Sequence, residues 1–598
     1  MNGMNCNRTS AVAQGSRRAS VASVCLVALL LIATPILAAQ QTSPATGPAQ
    51  RFDLLITGGR VYDGTGNPWF YADIGVRGGR IVAVGRLDSA TADTRVDARG
   101  KIVTPGFIDV HSHADDGSSP RGGFRDTDPK RRAAPNLVMQ GVTTVVVNHD
   151  GRSPLPIADQ KVSLTQNGIG PNAILLVGHG TVRGAVMGRD VRRPARPDEI
   201  TRMRELVRAA MRDGAWGLSA GLEYAPGRWS TTDEVVALAE EVAPYHGVYI
   251  SHERAEGGDP MWYWPSQDAP GPPTLLDAVR ETIEIGERTG ITVVASHIKA
   301  KGANYWGMSG AAINLIERAR ARGVDVWADQ YPYATSGTDG NTVLVPPWSI
   351  QTADRENRAG DARRSENYAA ALRATLADTS KARLVRRDVT HEIARRGGAD
   401  KVVIFDFPDT ALVGRTLAQI AEAWRLTPVE AAIQLQLRGR ADRPGGGRVR
   451  GFSLDERDME AFAARPWVAT ASDAGIALPD DGPSTHARFY GTFPRKVRQY
   501  AMDRDVISVE HAIRSMTSLP AQILGLRDRG MLREGFVADI AIIDLNRFRD
   551  RATFFQPHQY AEGVEHVWVN GSPVVERGQL TWKLPGRVLT KSGAGIVP

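Results

Sequence analysis

Between residues 104 and 473, short apolar strands alternate with amphipathic helices, and this pattern constrains the fold of the 598-residue chain more than any other feature. Eight segments are apolar and rich in β-branched residues, which favours buried strands. They span residues 104–111, 142–148, 173–179, 216–222, 248–253, 292–298, 324–331 and 467–473. Strands that alternate with helices form parallel βαβ units, and eight such units close into a ring. The sequence therefore predicts an α/β fold with a (β/α)8 TIM-like barrel over residues 104–524.

Both ends of the chain carry short strands of a different style, separated by glycine pairs and turns. Strands are predicted at residues 52–56, 72–77 and 80–84, and again at residues 538–544, 564–569 and 573–575. Asn570-Gly571 is a typical two-residue hairpin turn between the last two of these strands. We predict that residues 51–103 and 525–590 form one small β-sandwich domain.

Two long segments interrupt the barrel pattern. About 135 residues separate the seventh and eighth strands, and helical patterns at residues 368–377, 417–424 and 428–437 predict a subdomain inserted at residues 350–450. A second, shorter segment follows the fifth strand and carries Trp262-Tyr263-Trp264. Because both segments follow the carboxyl ends of strands, we expect both to overhang the barrel mouth, where substrates bind.

Residues 1–39 have the composition of an export signal. Three arginines precede an apolar run over residues 21–37, and two alanines that suit signal peptidase follow it. A membrane anchor is the alternative, but the apolar run is short for one. Arg17-Arg18 leaves both the general and the twin-arginine export routes open. We expect a removed signal peptide, a linker at residues 40–50, a periplasmic or extracellular protein, and no stable membrane span after processing.

The positions of the cysteines argue against a thiolate metal site, and the charge pattern argues against nucleic-acid binding. The two cysteines, Cys6 and Cys25, both lie inside the predicted signal, so a metal site in the processed chain would use nitrogen and oxygen donors. The net charge of +7 falls to +4 without the three arginines of the signal. No dense basic run is combined with stacking aromatic residues, so nucleic acid is not an expected partner.

Several of the predicted strands end in a histidine or an aspartate. His111 and His113 follow the first strand, Asp150 the second, His179 the third, His252 the fifth, His297 the sixth and Asp473 the eighth. Alternate residues of a strand share a face, so the first two imidazoles can reach one ion. The carboxyl ends of barrel strands converge on one cavity. The sequence therefore predicts a metal centre at this end of the barrel.

Three of these residues can be given individual roles from the sequence. Asp150 and the adjacent His149 compete as ligands, and we favour Asp150 because a carboxylate can bridge two ions. His179 is flanked by glycines and is interpreted as a substrate-binding or supporting residue. A bound divalent ion lowers the pKa of water from about 15.7 to about 7, which supports hydrolysis. Asp473 is the candidate general base that then protonates the leaving nitrogen.

Several motifs make the chain resemble the metal-dependent amidohydrolases, and within them the N-acyl-D-amino-acid deacylases, usually called D-aminoacylases. The resemblance covers residues 52–578. Its motifs are TPGFIDVHSH at 104–113, QGVTTVVV at 140–147, ISH at 250–252, SHIK at 296–299, DQYPY at 329–333, YGTFPR at 490–495 and MTSLPA at 516–521. The resemblance implies a TIM-like barrel enzyme that acts on a small N-acyl amino acid.

The resemblance also implies roles for individual residues. It implies zinc, as one or two ions, held by His252 and His297 with a second, weaker position near His111 and His113, and Asp473 as the catalytic acid and base. It further implies that four residues contact the substrate: Lys299, Tyr224, Tyr331 and Arg488. Of these, Arg488 is expected to bind the substrate carboxylate. Characterised D-aminoacylases place a bridging cysteine where this sequence has Asp150, and a harder oxygen donor weakens the preference for zinc.

The sequence therefore predicts a metal-dependent hydrolase of linear amides, and the resemblance implies that it releases a carboxylate and a free D-amino acid. Hydrolysis of cyclic amides or dipeptide-like substrates is one alternative. Enzymes of that type commonly bridge two metals with a carboxylated lysine of the fourth strand, and residues 216–222 contain no lysine. A metal-containing binding protein without turnover is the other alternative, against which the presence of Asp473 argues.

Overall fold

The computed structural model describes residues 51–115, 122–350 and 367–591. The predicted signal (1–39), the predicted linker (40–50) and residues 351–366 of the predicted insertion lie outside this range. The barrel strands are parallel and almost completely buried, as apolar strands covered by helices should be. In order, they are Phe107–Asp109, Val142–Val147, Asn172–Leu175 with Val177–Gly178, Gly217–Gly221, Val248–His252, Thr292–Ala295, Val326–Gln330 and Val468–Thr470.

The ring of strands closes between the first and the eighth. Ser112–His113 runs parallel to Ala474–Gly475, and the Asp473 amide donates to the carbonyl of His111 at 2.9 Å. Each of the other neighbouring strands is also paired in parallel. The carboxyl ends of all eight strands therefore open on one rim, which confirms the predicted barrel.

Several observed strands end earlier than the sequence predicted. The sixth was expected to reach residue 298 but ends at Ala295, and the eighth ends at Thr470 rather than at residue 473. The residues beyond these ends include His297 and Asp473, whose φ angles are 38° and 48°. A strand residue has negative φ, so the chain leaves the sheet where these side chains turn into the barrel mouth.

Helices surround the barrel and begin at identifiable signals. Thr231, for example, accepts a hydrogen bond from the Glu234 amide and caps the helix after the fourth strand. The barrel helices are Pro129–Arg132, Pro135–Val138, Ile157–Asn167, His179–Met187, Pro197–Arg212, Thr232–Ala239, Leu275–Thr289, Ser309–Ala321, Glu456–Ala463, Arg488–Arg495, Val509–Ser515 and Ser518–Leu524. A π-helical segment, Lys496–Asp503, continues the tenth of these. Among the residues that the structure describes, no helix combines the length and apolar character needed to cross a bilayer.

Strands from both ends of the chain form one hydrogen-bonded sheet. They are Arg51–Val61, Phe70–Arg77, Arg80–Gly85, Thr91–Asp97, Ile102–Pro105, Ile540–Ile543, Val564–Val569, Ser572–Glu576 and Gln579–Leu580. The long strand Arg51–Val61 pairs with Thr91–Asp97 along its first part and with Ile102–Pro105 at its end, so this strand has two partners on one side. Asn570 and Gly571 have φ of 52° and 79°, as the predicted hairpin turn requires. A further strand, Val588–Leu589, pairs instead with the third barrel strand.

The insertion between the seventh and eighth barrel strands has its own apolar core. Its described helices are Pro347–Ile350, Tyr368–Ala377, Thr379–Arg395, Leu417–Trp424 and Pro428–Arg438, and its strands Val402–Asp406 and Arg448–Gly451 pair antiparallel. The loop after the fifth strand packs against this insertion. Arg395 donates to the carbonyl of Tyr263 and stacks on Trp264, with 5.1 Å from its guanidinium carbon to the ring centroid. The aromatic residues therefore join the loop to the insertion.

Candidate metal centre and active site

Four histidines converge at the carboxyl ends of barrel strands. His111 and His113 lie beyond the first strand, His252 ends the fifth, and His297 lies two residues beyond the sixth. The His252 Nδ1 and His297 Nε2 atoms are 2.9 Å apart. The ring centroids of His111 and His297 are 4.9 Å apart. The two halves of the predicted constellation therefore share one site.

Asp150 occupies the centre of this cluster. Its Oδ1 atom lies 3.7 Å from His111 Nε2 and 3.8 Å from both His252 Nδ1 and His297 Nε2, while its Oδ2 atom lies 3.6 Å from His113 Nε2. These distances exceed a hydrogen bond. The Oδ1 atom of Asp150 and the Nε2 atom of His111 are buried without a hydrogen-bond partner among the described residues. The spacing therefore leaves Asp150 placed to bridge two positions.

The structure distinguishes Asp150 from its neighbour His149. The His149 ring stacks on the His111 ring, with centroids 3.9 Å apart and planes at 12°. Its side chain is not among those that line the site cavity. Burial lowers the pKa of His149 to about 3, so this imidazole is neutral. Asp150, which the sequence favoured over His149, faces the other candidate ligands.

Two of the four candidate imidazoles and the carboxylate have pKa shifts that favour metal binding. In the other two, His113 and His252, burial is outweighed by nearby carboxylates, Asp473 and Glu256 first, which raise the pKa. Burial holds the pKa of His111 well below its ordinary value, and burial followed by Lys299 lowers the pKa of His297. Burial opposes ionisation of Asp150, but nearby imidazoles, His297 first, outweigh it and hold the pKa of this carboxyl low. Neutral imidazoles and an ionised carboxylate are the ligand forms that bind metals. The combination of imidazole and carboxylate donors fits a divalent metal ion.

Two three-residue groups within the cluster have their donor atoms close enough to hold an ion. The atoms of His111, His113 and Asp150 lie within 4.8 Å of one another, as do those of Asp150, His252 and His297. Both groups combine nitrogen and oxygen donors, a set compatible with zinc. Because Asp150 belongs to both groups, the geometry accommodates one ion or two.

Asp473 connects this cluster to a cationic side chain. Its Oδ1 atom lies 3.0 Å from His113 Nε2, and its Oδ2 atom accepts a hydrogen bond from Arg488 Nη1 at 2.7 Å. Burial favours the protonated carboxyl, but Arg488 and then His113 outweigh it and lower the pKa of Asp473 to about 2. Asp473 is therefore an ionised acceptor beside the candidate ligands, as a general base must be.

Three residues of this site have a left-handed backbone conformation. Asp150, His297 and Asp473 have φ of 57°, 38° and 48°, a region that residues other than glycine adopt rarely. Such conformations cost about 1–3 kcal/mol each and persist where surrounding contacts impose them. The His297 amide, for instance, donates to Asp329 Oδ1 at 2.7 Å. The strained backbone turns three chemically active side chains into one cavity.

Two buried aspartates behind the site hold the histidines in place. Asp329 accepts a hydrogen bond from Ser296 Oγ at 2.7 Å, and that hydroxyl lies 2.5 Å from His111 Nδ1. Asp109 accepts hydrogen bonds from the backbone and side chain of Ser472, which precedes Asp473. Burial raises the pKa of each aspartate to about 7. The sequence analysis did not single out these supports, although both aspartates stand in strand-end motifs.

Two glutamates that the sequence analysis also missed contact the candidate ligands. Glu223 Oε2 lies 3.0 Å from His252 Nε2, and Glu256 Oε1 lies 3.5 Å from His297 Nδ1. Lys299 Nζ donates to Glu256 at 2.5 Å and lies 2.8 Å from the same His297 nitrogen. Carboxylates that bond the second ring nitrogen of a ligand orient it. Glu223 directly follows the fourth predicted strand, and this position at a strand end could have identified it as a site residue.

The cluster opens into a cavity of about 140 Å³. Its lining includes the predicted substrate residues Tyr224, Lys299, Tyr331 and Arg488 as well as His113, Asp150, His252, Glu256, His297, Ser336, Gly337, Thr338 and Asp473. The Tyr331 hydroxyl and the Arg488 Nε atom are buried without partners among the described residues. The guanidinium carbon of Arg488 lies 4.8 Å from the Tyr331 ring centroid. The cavity therefore offers free donors beside Asp473.

Two predicted site residues, His111 and His179, do not line this cavity, and His179 also makes none of the contacts that join the metal cluster. His179 begins the helix His179–Met187, is fully buried, and its Nε2 atom lies 2.9 Å from Glu234 Oε1. Glu234 also accepts a hydrogen bond from the buried Arg183. The structure thus places His179 beside a buried ion pair and outside the cavity lining, which does not support a direct contact with the substrate.

A profile of the amidohydrolase family matches residues 94–244 and 271–575. The chain belongs to the amidohydrolase family. This amidohydrolase is 33% identical to a D-aminoacylase of Alcaligenes xylosoxydans xylosoxydans over 91% of its own chain and 99% of that protein. It is 32% identical to an N-acyl-D-glutamate deacylase of the same organism over 91% of its chain and 98% of the relative.

Solved structures give the same assignment. A D-aminoacylase described as defining a novel subset of amidohydrolases superposes with a TM-score of 0.67 at 31% identity, covering 90% of this chain and all of that one. An N-acyl-D-glutamate deacylase of Bordetella bronchiseptica, complexed with zinc and a phosphonate mimic of the tetrahedral intermediate, gives 0.65 at 29% identity over 90% and 100%. The fold class and the family predicted for this amidohydrolase are confirmed.

Proposed function

We propose that this amidohydrolase is a zinc-dependent deacylase that hydrolyses N-acyl-D-amino acids to a carboxylate and a free D-amino acid. The observation that carries this proposal is the position of Asp473, which contacts both His113 of the metal cluster and Arg488 within one cavity. A base, a metal cluster and a carboxylate-binding group thus meet where an acylated amino acid would bind. The names of the relatives support this substrate class.

The proposed zinc ligands are Asp150, His252 and His297 at one position and Asp150, His111 and His113 at a second. When bound, zinc polarises the amide carbonyl and makes a water nucleophilic at neutral pH. A carboxylate at position 150 is a harder donor than a thiolate and broadens the range of suitable metals. Manganese and cobalt therefore belong beside zinc in a reconstitution test.

The protein's own groups then supply proton transfer and orientation. Asp473 accepts a proton from the attacking water and donates it to the nitrogen that leaves. Arg488 presents an unpartnered Nε–H to the substrate carboxylate, and its planar fork suits such a group. The unpartnered hydroxyl of Tyr331 is a second donor for the substrate. These donors hold the amide within reach of Asp473.

Cyclic amides are the less favoured substrates. The fourth barrel strand, Gly217–Gly221, contains no lysine that could bridge two metals as a carbamate. A D-hydantoinase structure shares the fold at 14% identity with a TM-score of 0.52, which is a similarity of fold alone. The deacylase relatives, in contrast, match along nearly their whole length.

Metal depletion of the purified protein tests the proposal. We expect hydrolysis of an N-acyl-D-amino acid to disappear after chelation and to return with zinc, with metal content measured on the same sample. Matched D- and L-configured substrates with small, apolar and acidic side chains define the specificity. Saturable binding without product across this panel would instead identify a binding protein. Activity confined to dihydropyrimidines would identify a cyclic amidase.

We also propose that residues 1–39 direct export and are removed. The support is the arginine-rich start, the apolar run over residues 21–37 and the small residues after it. Expression of the full chain followed by fractionation and N-terminal sequencing tests this. A mature chain that begins near residue 40 outside the cytoplasm is expected, and an intact chain in the cytoplasm contradicts the proposal.

A further inference from the structure

A second, smaller cavity contains two arginines that have no role in the proposed hydrolysis. We call it the arginine cavity, and its lining residues are Gly340, Phe405, Arg448, Arg450, Pro483, Ser484, Thr485 and Phe554. Its volume is about 10 Å³, which is space for a single particle about the size of a water molecule. It shares no lining residue with the cavity of the metal cluster.

Arg450 is buried without a carboxylate partner. Its residue is 6% exposed, and its guanidinium carbon lies 4.9 Å from the centroid of the Phe554 ring. Nη1 donates to the carbonyl of Ser336 at 3.2 Å and to the hydroxyl of Thr335 at 3.3 Å, both of which are uncharged acceptors. Among the described residues, no carboxylate oxygen lies within 4.0 Å of this guanidinium. Burial lowers the pKa of Arg450 to about 10.

Arg448 adds a second cation with unused hydrogen-bonding capacity. Nη1 donates to Ser484 Oγ at 2.9 Å, whereas Nε is buried without an acceptor in the described part of the chain. No ion pair joins Arg448 to a described carboxylate. Asp406, a carboxylate near it, accepts hydrogen bonds from Arg440 and Arg443 instead.

Nearby carboxylates do not balance the two arginines. Asp339, the carboxylate that acts most strongly on Arg450, is bonded to Arg396 Nη1 at 2.7 Å. A guanidinium stays charged at any physiological pH, so Arg448 and Arg450 cannot relieve their repulsion by losing a proton. Holding two like charges together, with Arg450 buried and Arg448 half-buried, is costly unless a charge of opposite sign compensates them.

We propose that the arginine cavity binds a small inorganic anion of about the size of chloride between Arg448 and Arg450. Such an anion accepts hydrogen bonds from both guanidinium groups and from the Ser484 hydroxyl, and a single-atom anion suits a space of about 10 Å³. A water molecule could fill the same space but would leave both charges uncompensated.

The anion also connects to the substrate cavity through one loop. Arg450 holds the Ser336 carbonyl, and Ser336 lines the cavity of the metal cluster. A Cβ built on Gly340 would lie 2.3 Å from Arg450 Nη2, so the guanidinium packs directly against the loop backbone. Anion binding at Arg450 therefore stabilises the loop of residues 335–341 in its present position.

Thermal unfolding of the zinc-loaded full chain tests the proposal. Chloride is exchanged for isethionate, an anion too large for the cavity, at constant ionic strength and pH. A ligand that binds the folded state stabilises it in a saturable way. We expect the Tm to rise by about 2 °C or more as chloride replaces isethionate. A Tm that depends on ionic strength alone overturns the proposal.

Two variants locate the effect. Arg450→Gln is expected to abolish the chloride-dependent rise in Tm, because one of the two charges is lost. Arg386→Gln is the matched control, since Arg386 is an exposed arginine of the insertion that already pairs with Glu430. Its chloride response is expected to equal that of the wild type. An unchanged response in Arg450→Gln contradicts the assignment to this cavity.

Crystals of the wild-type protein provide a test that does not depend on a variant folding. Bromide replaces chloride in the crystallisation solution, and anomalous diffraction locates it. A bromide peak within hydrogen-bond distance of both Arg448 and Arg450 supports the proposal. A cavity that holds only water while bromide binds elsewhere overturns it.

Discussion

Two buried clusters of histidine and carboxylate in this amidohydrolase differ in spacing. In the metal cluster, Asp150 lies 3.6 to 3.8 Å from four imidazole nitrogens, too far for hydrogen bonds. In the second cluster, Glu234 lies 2.9 Å from His179 and bonds Arg183 directly. The first arrangement leaves room for an ion between its donors, whereas the second joins opposite charges without a gap. Residue type alone does not separate a binding site from a structural ion pair.

The largest effect is expected from Asp473→Asn. This change keeps the size of the side chain but removes the proton acceptor, so kcat should fall by about 100-fold to 10 000-fold. The measurements are kcat on an N-acyl-D-amino acid and the zinc content of the same preparation, which should stay unchanged. Full activity in this variant would refute the role of Asp473.

Glu234→Ala should lower the stability of the protein rather than its catalytic rate. It leaves Arg183 buried without its carboxylate, and breaking a buried pair in this way destabilises by about 3–5 kcal/mol. Zinc content should equal that of the wild type, because none of His179, Arg183 and Glu234 belongs to a candidate ligand group. Chemical denaturation and metal analysis measure the two quantities. Loss of zinc in a folded Glu234→Ala protein would show that the clusters are coupled.

The contacts of Glu234 with His179 and Arg183 should also make the free energy of unfolding depend on pH. Burial opposes ionisation of Glu234, but His179 and Arg183 outweigh it and hold its pKa below the ordinary 4.5. The contribution of the pair to the free energy of unfolding is therefore complete above pH 4.5 and is lost as the pH falls. The difference in stability between wild type and Glu234→Ala should shrink under acid conditions. A difference that grows would contradict the assigned direction.

Glu223→Gln should weaken zinc binding by a smaller factor. The Glu223 carboxylate bonds the nitrogen of His252 that faces away from Asp150, and loss of such a support typically costs about 10–100-fold in metal affinity. Competition with a chelator measures the zinc Kd. Glu253→Gln is the control, because burial raises the pKa of Glu253 to about 8 and the amide resembles its protonated form. Equal zinc affinity in both variants would remove the role assigned to Glu223.

The smallest effect is expected from His179→Gln. It removes the imidazole bond to the ionised Glu234, and a hydrogen bond to a charged group is worth about 1.5–3 kcal/mol of stability. KM should change by less than about twofold, because the residue does not line the substrate cavity. Steady-state kinetics and thermal unfolding measure these quantities. A tenfold rise in KM would restore the interpretation of His179 as a substrate-binding residue.

The barrel and most of its candidate site could be predicted because each strand carries a local signal. Apolar runs marked the eight strands, and the histidines at residues 111, 113, 252 and 297 follow strand ends. The strand Thr91–Asp97 was missed because its side chains are polar and mostly exposed. Glu223 and Glu256 were missed because glutamates are common and nothing local marks one that bonds a ligand.

The sequence by itself determined the donor types and the order in which strand ends supply them, because alternation and apolar runs are encoded over a few neighbouring residues. Only the tertiary structure decided which donors meet. Asp150 rather than His149 faces the cluster, and His179 turns to Glu234, 55 positions away along the chain. The physical reason is that a side chain just beyond a strand takes its direction from the local φ and ψ. Contacts with distant residues fix those angles, and no nearby sequence pattern records them.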